Sequence, residues 1–176
     1  CILQSARSLE AGVCHVHLAK FDDWTEQALL DYLKDFRDDG IFAVTELLRR
    51  GVSIAKLHEV TMITELFLEC LKSIVEMEET LRRAPGYERA LLAAKTMGFA
   101  DKTIARLWNC TELEVCRQRK ALGYTPVFRM VDTLHTGKYI AYLYSTYLHL
   151  LDDKIKNESR LTDKKKIVVL GAGRLR

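Results

Sequence analysis

Cys14, His15 and His17 form the tightest grouping of metal-capable side chains in the chain. A zinc site needs four convergent ligands, usually supplied as two spaced pairs. No second pair stands at zinc spacing, because Cys110 and Cys116 are six apart and fall on two different expected helices. The grouping therefore reads as one buried cysteine and two surface or linker histidines. His58, His135 and His149 are scattered, and no local signature couples a cysteine to a histidine as nucleophile and base. The acidic stretch Glu76 to Glu79 reads as a solvated helix face. No catalytic, cofactor-binding or metal-binding residue is assigned on these grounds.

Two further stretches carry outlines of known chemistry. Ile167 to Leu170 reads as a short buried strand and runs into Gly171-Ala172-Gly173, the start of a phosphate-binding turn. Glycines let backbone N–H groups approach a phosphate, and a following helix adds its N-terminal dipole. Here the sequence stops at Arg176, before such a helix. The second outline is Asp101 to Leu122. Asp101 and Thr111 open two short helices joined at Asn109-Cys110, Ala105 is small where helices would cross, and Arg117, Arg119 and Lys120 lie on the second helix. That is the outline of a helix-turn-helix. The plainer reading is an αα-hairpin with exposed basic residues, since Asn replaces the usual turn Gly and no wider basic patch surrounds it.

The elements that would position these residues are mostly helical. Asp23 and Glu26 have capping-box spacing, and Ala28, Leu29, Tyr32, Leu33 and Phe36 give one apolar face, ended by Gly40. Ile41, Val44, Leu47 and Leu48 start a helix that stops at Gly51. Ser53 caps a third, through Ile54 and Leu57. The clearest periodicity is Ile63, Leu66, Phe67, Cys70, Leu71, Ile74, Val75 and Leu81, with Glu65, Glu69, Lys72, Glu76 and Glu79 largely opposite. It predicts an amphipathic helix of about five turns with Leu66, Phe67, Leu71 and Ile74 buried. Leu68 lies off that stripe, which marks it as a candidate interface residue. A helix from Glu88 to Thr96 ends at Gly98, Asp101 caps the next, and Thr111 with Glu114 forms a capping box for the last, ended by Gly123. After Pro126, Val127 to Val131 and Tyr139 to Tyr147 are aromatic and β-branched and read as extended. Asp152 to Lys166 is polar and charged.

The 176 residues are 48% hydrophobic and 29% charged, enough for a sizeable core. Two prolines leave long stretches open to helix, and a net charge of +3 is too small to demand a polyanion. No apolar run reaches about 18 residues, so no membrane span is expected. Five cysteines without a CxxC pair fit free thiols in a reducing cytoplasm.

Several collinear stretches resemble one family. They are Ile41-Phe42 with Leu47-Leu48-Arg49-Arg50-Gly51-Val52-Ser53-Ile54, Leu57-His58-Glu59-Val60-Thr61, Phe67-Leu68, and Gly98-Phe99-Ala100-Asp101 with Ile104-Ala105. Pro126-Val127-Phe128-Arg129-Met130-Val131-Asp132-Thr133, Tyr142-Leu143-Tyr144-Ser145-Thr146-Tyr147 and Lys165-Lys166-Ile167-Val168-Val169-Leu170-Gly171 continue the series. Together they resemble the helical oligomerisation (connection) domain of the carbamoyl phosphate synthetase large subunit, and Ser8-Leu9-Glu10 resembles the end of the ATP-grasp half before it. Departures fall at Leu134-His135-Thr136-Gly137-Lys138, where the family has a Cys and an Ala-Ala-Glu-Phe run. The path from Thr133 to Tyr142 is about two residues shorter than the family's, judged against the collinear motifs, and Arg174 replaces a loop Pro.

The resemblance implies a mostly α fold with extended segments in the last third and a terminal strand from a truncated next domain. It divides the chain into 1–20, the tail of the preceding ATP-grasp half; 21–150, the helical domain; 151–164, a linker; and 165–176, the first strand of the second synthetase half. It implies an architectural linker that self-associates and is not itself an enzyme. The whole enzyme is an ATP-dependent ligase that makes carbamoyl phosphate from bicarbonate, ATP and glutamine-derived ammonia for pyrimidine and arginine synthesis. ATP, with Mg or Mn, and the glutaminase small subunit belong to that whole, with no cofactor in this stretch. The alternative is a helix-turn-helix DNA-binding regulator, for which only weak, salt-sensitive nucleic-acid binding is expected. A small free-standing enzyme is the third reading, and it lacks an assembled catalytic set.

Overall fold

The computed structural model describes residues 2–3, 13, 15–35, 37–131, 139, 142–160, 162–165 and 167. Among these, seven α-helices of eight or more residues run in succession and a two-stranded ribbon follows, so the fold is mostly α.

The first helix, α1 (Glu26–Leu33), is opened by Thr25, whose side chain accepts from the Ala28 N–H at 3.2 Å. The expected cap, Asp23, sits instead in a turn, and Glu26 turns its carboxylate to Lys56 at 2.9 Å. Thr25 wins because its backbone is extended (φ −72°, ψ 156°), as a capping residue requires. Gly40 does not end this helix; it opens α2 (Gly40–Arg49). Phe42, Val44, Leu47 and Leu48 of α2 are buried. Ser53 caps α3 (Ile54–Thr61) by accepting from the Lys56 N–H.

The long helix, α4 (Glu65–Arg83), has 19 residues. Its buried positions are Leu68, Leu71, Ile74, Glu78 and Leu81. This corrects the expected stripe at its N-terminal end. Leu68 is 0% exposed and belongs to the core, whereas Leu66 is 67% and Phe67 59% exposed. Both sets have three–four spacing, and Leu71, Ile74 and Leu81 are common to them. Leu68 and Leu71 on the buried face join the core that includes α2 and α3, and Ile74 and Leu81 join the core of the helices that follow.

Three short helices follow. The residue after α5 (Glu88–Met97) is Gly98 at φ 91°, and the residue after α6 (Asp101–Trp108) is Asn109 at φ 54°. Both are left-handed, the conformation that ends a helix sharply and that Gly and Asn adopt at least cost. The last helix, α7 (Glu112–Ala121), carries the expected box: Thr111 accepts from the Glu114 N–H, and the Glu114 carboxylate accepts from the Thr111 N–H at 2.7 Å.

The apolar side chains form two cores. One gathers Phe21, α1, α2 and α3 around Leu68 and Leu71. The other gathers Leu3, Val16, Phe99, α5, α6 and Val115 of α7 around Ile74 and Leu81. The long helix belongs to both. Leu3, His15 and Val16 are buried, and Leu3 and Val16 join the core formed with α5 and α6.

The strands β1 (Val127–Met130) and β2 (Leu143–Thr146) pair antiparallel, Val127 opposite Thr146 and Met130 opposite Leu143. Residues 157–158 lie along β1. Phe128 N–H donates to Asn157 Oδ1 at 3.1 Å, Glu158 N–H to Phe128 O at 2.8 Å, and Met130 N–H to Glu158 Oε2 at 2.6 Å. Ser8 to Glu10, Cys14, Phe36, His135 and Gly171-Ala172-Gly173 lie outside the described residues. Of the expected terminal strand only Ile167 is described, and it is exposed.

Candidate functional site

Glu78 is the most buried ionisable group on α4, 1% exposed, and it stands between Ile74 and Leu81 on the buried face of the helix. Arg49 of α2 grips it with two parallel bonds, Nε to Oε2 and Nη2 to Oε1, both 2.8 Å. His15 Nε2 donates to Oε1 at 2.6 Å, which fixes the ring's proton on Nε2 because an ionised carboxylate only accepts. Arg82, one turn along α4, reaches to 3.6 Å. The Arg49 guanidinium also donates to the Val16 carbonyl at 2.8 Å and lies 3.4 Å from Glu46. Glu46 in turn holds Arg50 at 2.8 Å, and Arg50 donates to the carbonyls of Phe21 and Asp22 at 3.0 Å. The network thus stitches the segment of residues 15–24 to α2 and α4.

Burial by itself pushes the Glu78 carboxyl up. The hydrogen bonds from Arg49 and His15 outweigh that and hold it at about 2. A general acid or base works best with a pKa near the operating pH. Glu78 is therefore a permanently charged clamp. Arg49 is held above its ordinary value: burial opposes this, and Glu78 and Glu46 more than compensate. Beside the clamp, His17, Glu78, Arg82, Arg106 and Leu107 line a groove of about 300 Å³.

Sequence reasoning missed this cluster. It placed Glu78 on a solvated face and His15 on the surface or in a linker; both are buried, and they bind each other. His17 has a different partner, Asp22 at 2.9 Å. His58 Nδ1 contacts the Ile63 carbonyl at 2.7 Å, and His149 lies in the turn Leu148–Leu150. The structure brings none of these described histidines together. Among the described residues no group of three His, Cys, Asp or Glu side chains could hold a metal ion. Cys110 is exposed and Cys116 half-buried.

A second buried pair lies at the α5–α6 turn. Asp101 is not the cap of α6, a position that Ala100 fills without a side-chain bond. Its carboxylate takes Lys95 at 2.6 Å and Arg119 at 3.0 Å. Burial pushes the Asp101 carboxyl up, and the two cations bring it below its ordinary value. Lys95 also donates to Phe99 O, and Arg119 to Tyr124 O. The Tyr147 ring covers both cations, 4.9 Å from Lys95 Nζ and 5.8 Å from the Arg119 guanidinium carbon. Arg119 is therefore internal, while Arg117 and Lys120 are exposed. The α6–α7 pair is an αα-hairpin pinned through one of the three residues that a DNA-reading helix would present. A cleft of about 680 Å³ separates the α5–α6 turn, Lys95 to Ala100, from Tyr142 to Leu148.

These features define a class: a helical packing module of two cores sharing one long helix, with its buried charges committed to internal pairs. Residues 1–123, which include all seven helices, match the family described as carbamoyl-phosphate synthetase large chain, oligomerisation domain. The chain belongs to that family. No helix among the described residues is long and apolar enough to cross a membrane.

Proposed function

We propose that the chain is the architectural connection and self-association segment of a carbamoyl phosphate synthetase large chain. The observation that carries the reading is the family match over the whole helical body. In this reading residues 21–150 form the connecting domain and 1–20 lead in from a preceding ATP-grasp half, docked through Leu3, His15 and Val16. Residues 151–164 lead out, and 165–176 begin a second half. Catalysis belongs to those flanking halves, with ATP and Mg or Mn bound there. They form carbamoyl phosphate from bicarbonate, ATP and ammonia that a glutaminase small subunit releases in the cytoplasm, for pyrimidine and arginine synthesis. The buried charges support the architectural role, since Glu78 and Asp101 are held in their charged forms by packing partners rather than poised to transfer protons.

Two measurements test this. The purified 176-residue chain should turn over no ATP above a buffer control. Sedimentation should show a discrete, concentration-dependent oligomer; a strict monomer at high concentration would remove the self-association role and leave the linker role standing.

A further inference from the structure

On α4, Phe67, Cys70, Ile74, Met77 and Leu81 recur at steps of three, four, three and four, the seam of a helix that packs against another helix. The C-terminal part of this seam is covered: Ile74 and Leu81 are buried and Met77 packs beside them, under the core of α5 and α6. The N-terminal part continues into solvent. Phe67 is exposed, Cys70 is exposed, and Leu66, one turn from Cys70, is exposed as well. Met62, in the left-handed residue that ends α3 just upstream, is 71% exposed. Met62, Leu66 and Phe67, within six residues of one another, expose on the order of 400 Å² of side chain between them, the range in which an apolar patch on a monomer marks an interaction site. Glu65, Glu69 and Lys72 stand exposed around it, so the apolar centre has a charged rim.

We propose that a second copy of this chain covers the patch through its own α4, the two helices crossing antiparallel about a two-fold axis. The proposal rests on the self-association reading above and names its surface. Three observations select this occupant. The family is described as an oligomerisation domain, and its match contains α4 entire. The uncovered positions keep helix-seam spacing, so the missing partner is a helix. The patch is also self-complementary: a large knob, Phe67, lies one turn from a small residue, Cys70, so each copy's Phe67 seats over the partner's Cys70, as a two-fold contact requires. A stable dimer needs about 800 Å² from each partner, so the patch is the centre of the contact and its charged rim completes it.

The test is sedimentation of the 176-residue chain as wild type, Phe67→Ser and Leu66→Gln, with thermal melts of each. Wild type is expected to dimerise, and each variant to dimerise about tenfold or more weakly, as for truncation at an interface centre. The melting curves of dilute monomers should coincide, because both side chains are exposed. In a Cys110→Ser background, a short bismaleimide should join two copies through Cys70 and fail to do so once Cys70→Ser is added. Variants that dimerise like wild type, or a crosslink that persists once Cys70→Ser is added, would overturn the patch while leaving self-association intact. A wild-type chain that stays monomeric at high concentration would overturn both. Should Phe67→Ser lose its helical signal, Leu66→Gln and the crosslink still decide.

Discussion

Removing the Glu78 carboxylate takes away the buried acceptor that the Arg49 guanidinium and the His15 ring share, and leaves Arg49 only the Val16 carbonyl and Glu46. Breaking one partner of a buried pair costs about 3–5 kcal/mol, so Glu78→Ala should show a loss of that order in urea unfolding. The same group makes the fold acid-sensitive. Its folded value of about 2 lies below the ordinary 4.5. The stabilisation it gives is thus fully present above pH 4.5 and is lost as pH falls toward 2. Asp101, also depressed, adds to the loss in the same direction. Chemical denaturation at a series of pH values should show this slope, and Glu78→Gln should flatten it. Neither pair was visible in the sequence. His15 and Arg49 lie 63 and 29 positions from Glu78, and no local spacing reports such a meeting. What was visible were interactions that close within three residues: the Ser53 cap and the Thr111–Glu114 box. Even there, Thr25 and Asp23 stood two apart with equal capping chemistry, and only the chain's path settled which one served.

At the scale of the element, α4 shows how far periodicity reaches. Its existence, length and position follow from the three–four recurrence of its apolar residues, and so does the burial of Leu71 and Ile74. The rotation of its N-terminal half does not follow. That helix carries apolar residues on more than one side there, and tertiary cover decides which side is core. The contrast is measurable: Leu68→Ala and Leu71→Ala should each cost about 2–5 kcal/mol in the folded monomer. Leu66→Ala should change the monomer's stability by under about 0.5 kcal/mol. The helix ends were more legible, because Gly98 and Gly123 stand where the chain turns left-handed. Gly98→Ala should destabilise by roughly 1 kcal/mol or more, since a side chain is strained at φ 91° whatever space surrounds it.

Across the whole molecule, the sequence conveyed the class and most of the order of elements, and left the pairing of distant segments to the structure. The ribbon is an example: Val127 to Met130 read as extended, but nothing local announced that residues 157–158 would close on it. The αα-hairpin has a consequence for nucleic acid as well. With Arg119 held by Asp101, only Arg117 and Lys120 of the three candidates remain exposed on α7, and Glu112 and Glu114 stand in its first turn. Filter binding should therefore detect at most weak association with DNA, lost between low and physiological salt. The shared long helix, finally, bears on how such a chain tolerates change over time. Substitutions more than about 7–10 Å apart with no common partner combine additively. A change near Phe42 and another near Leu91 fall in separate cores, so lineages can repack either end without a matching change at the other. Residues His15, Arg49 and Glu78 share one buried network across distant parts of the chain, and drift there must come as coordinated replacements.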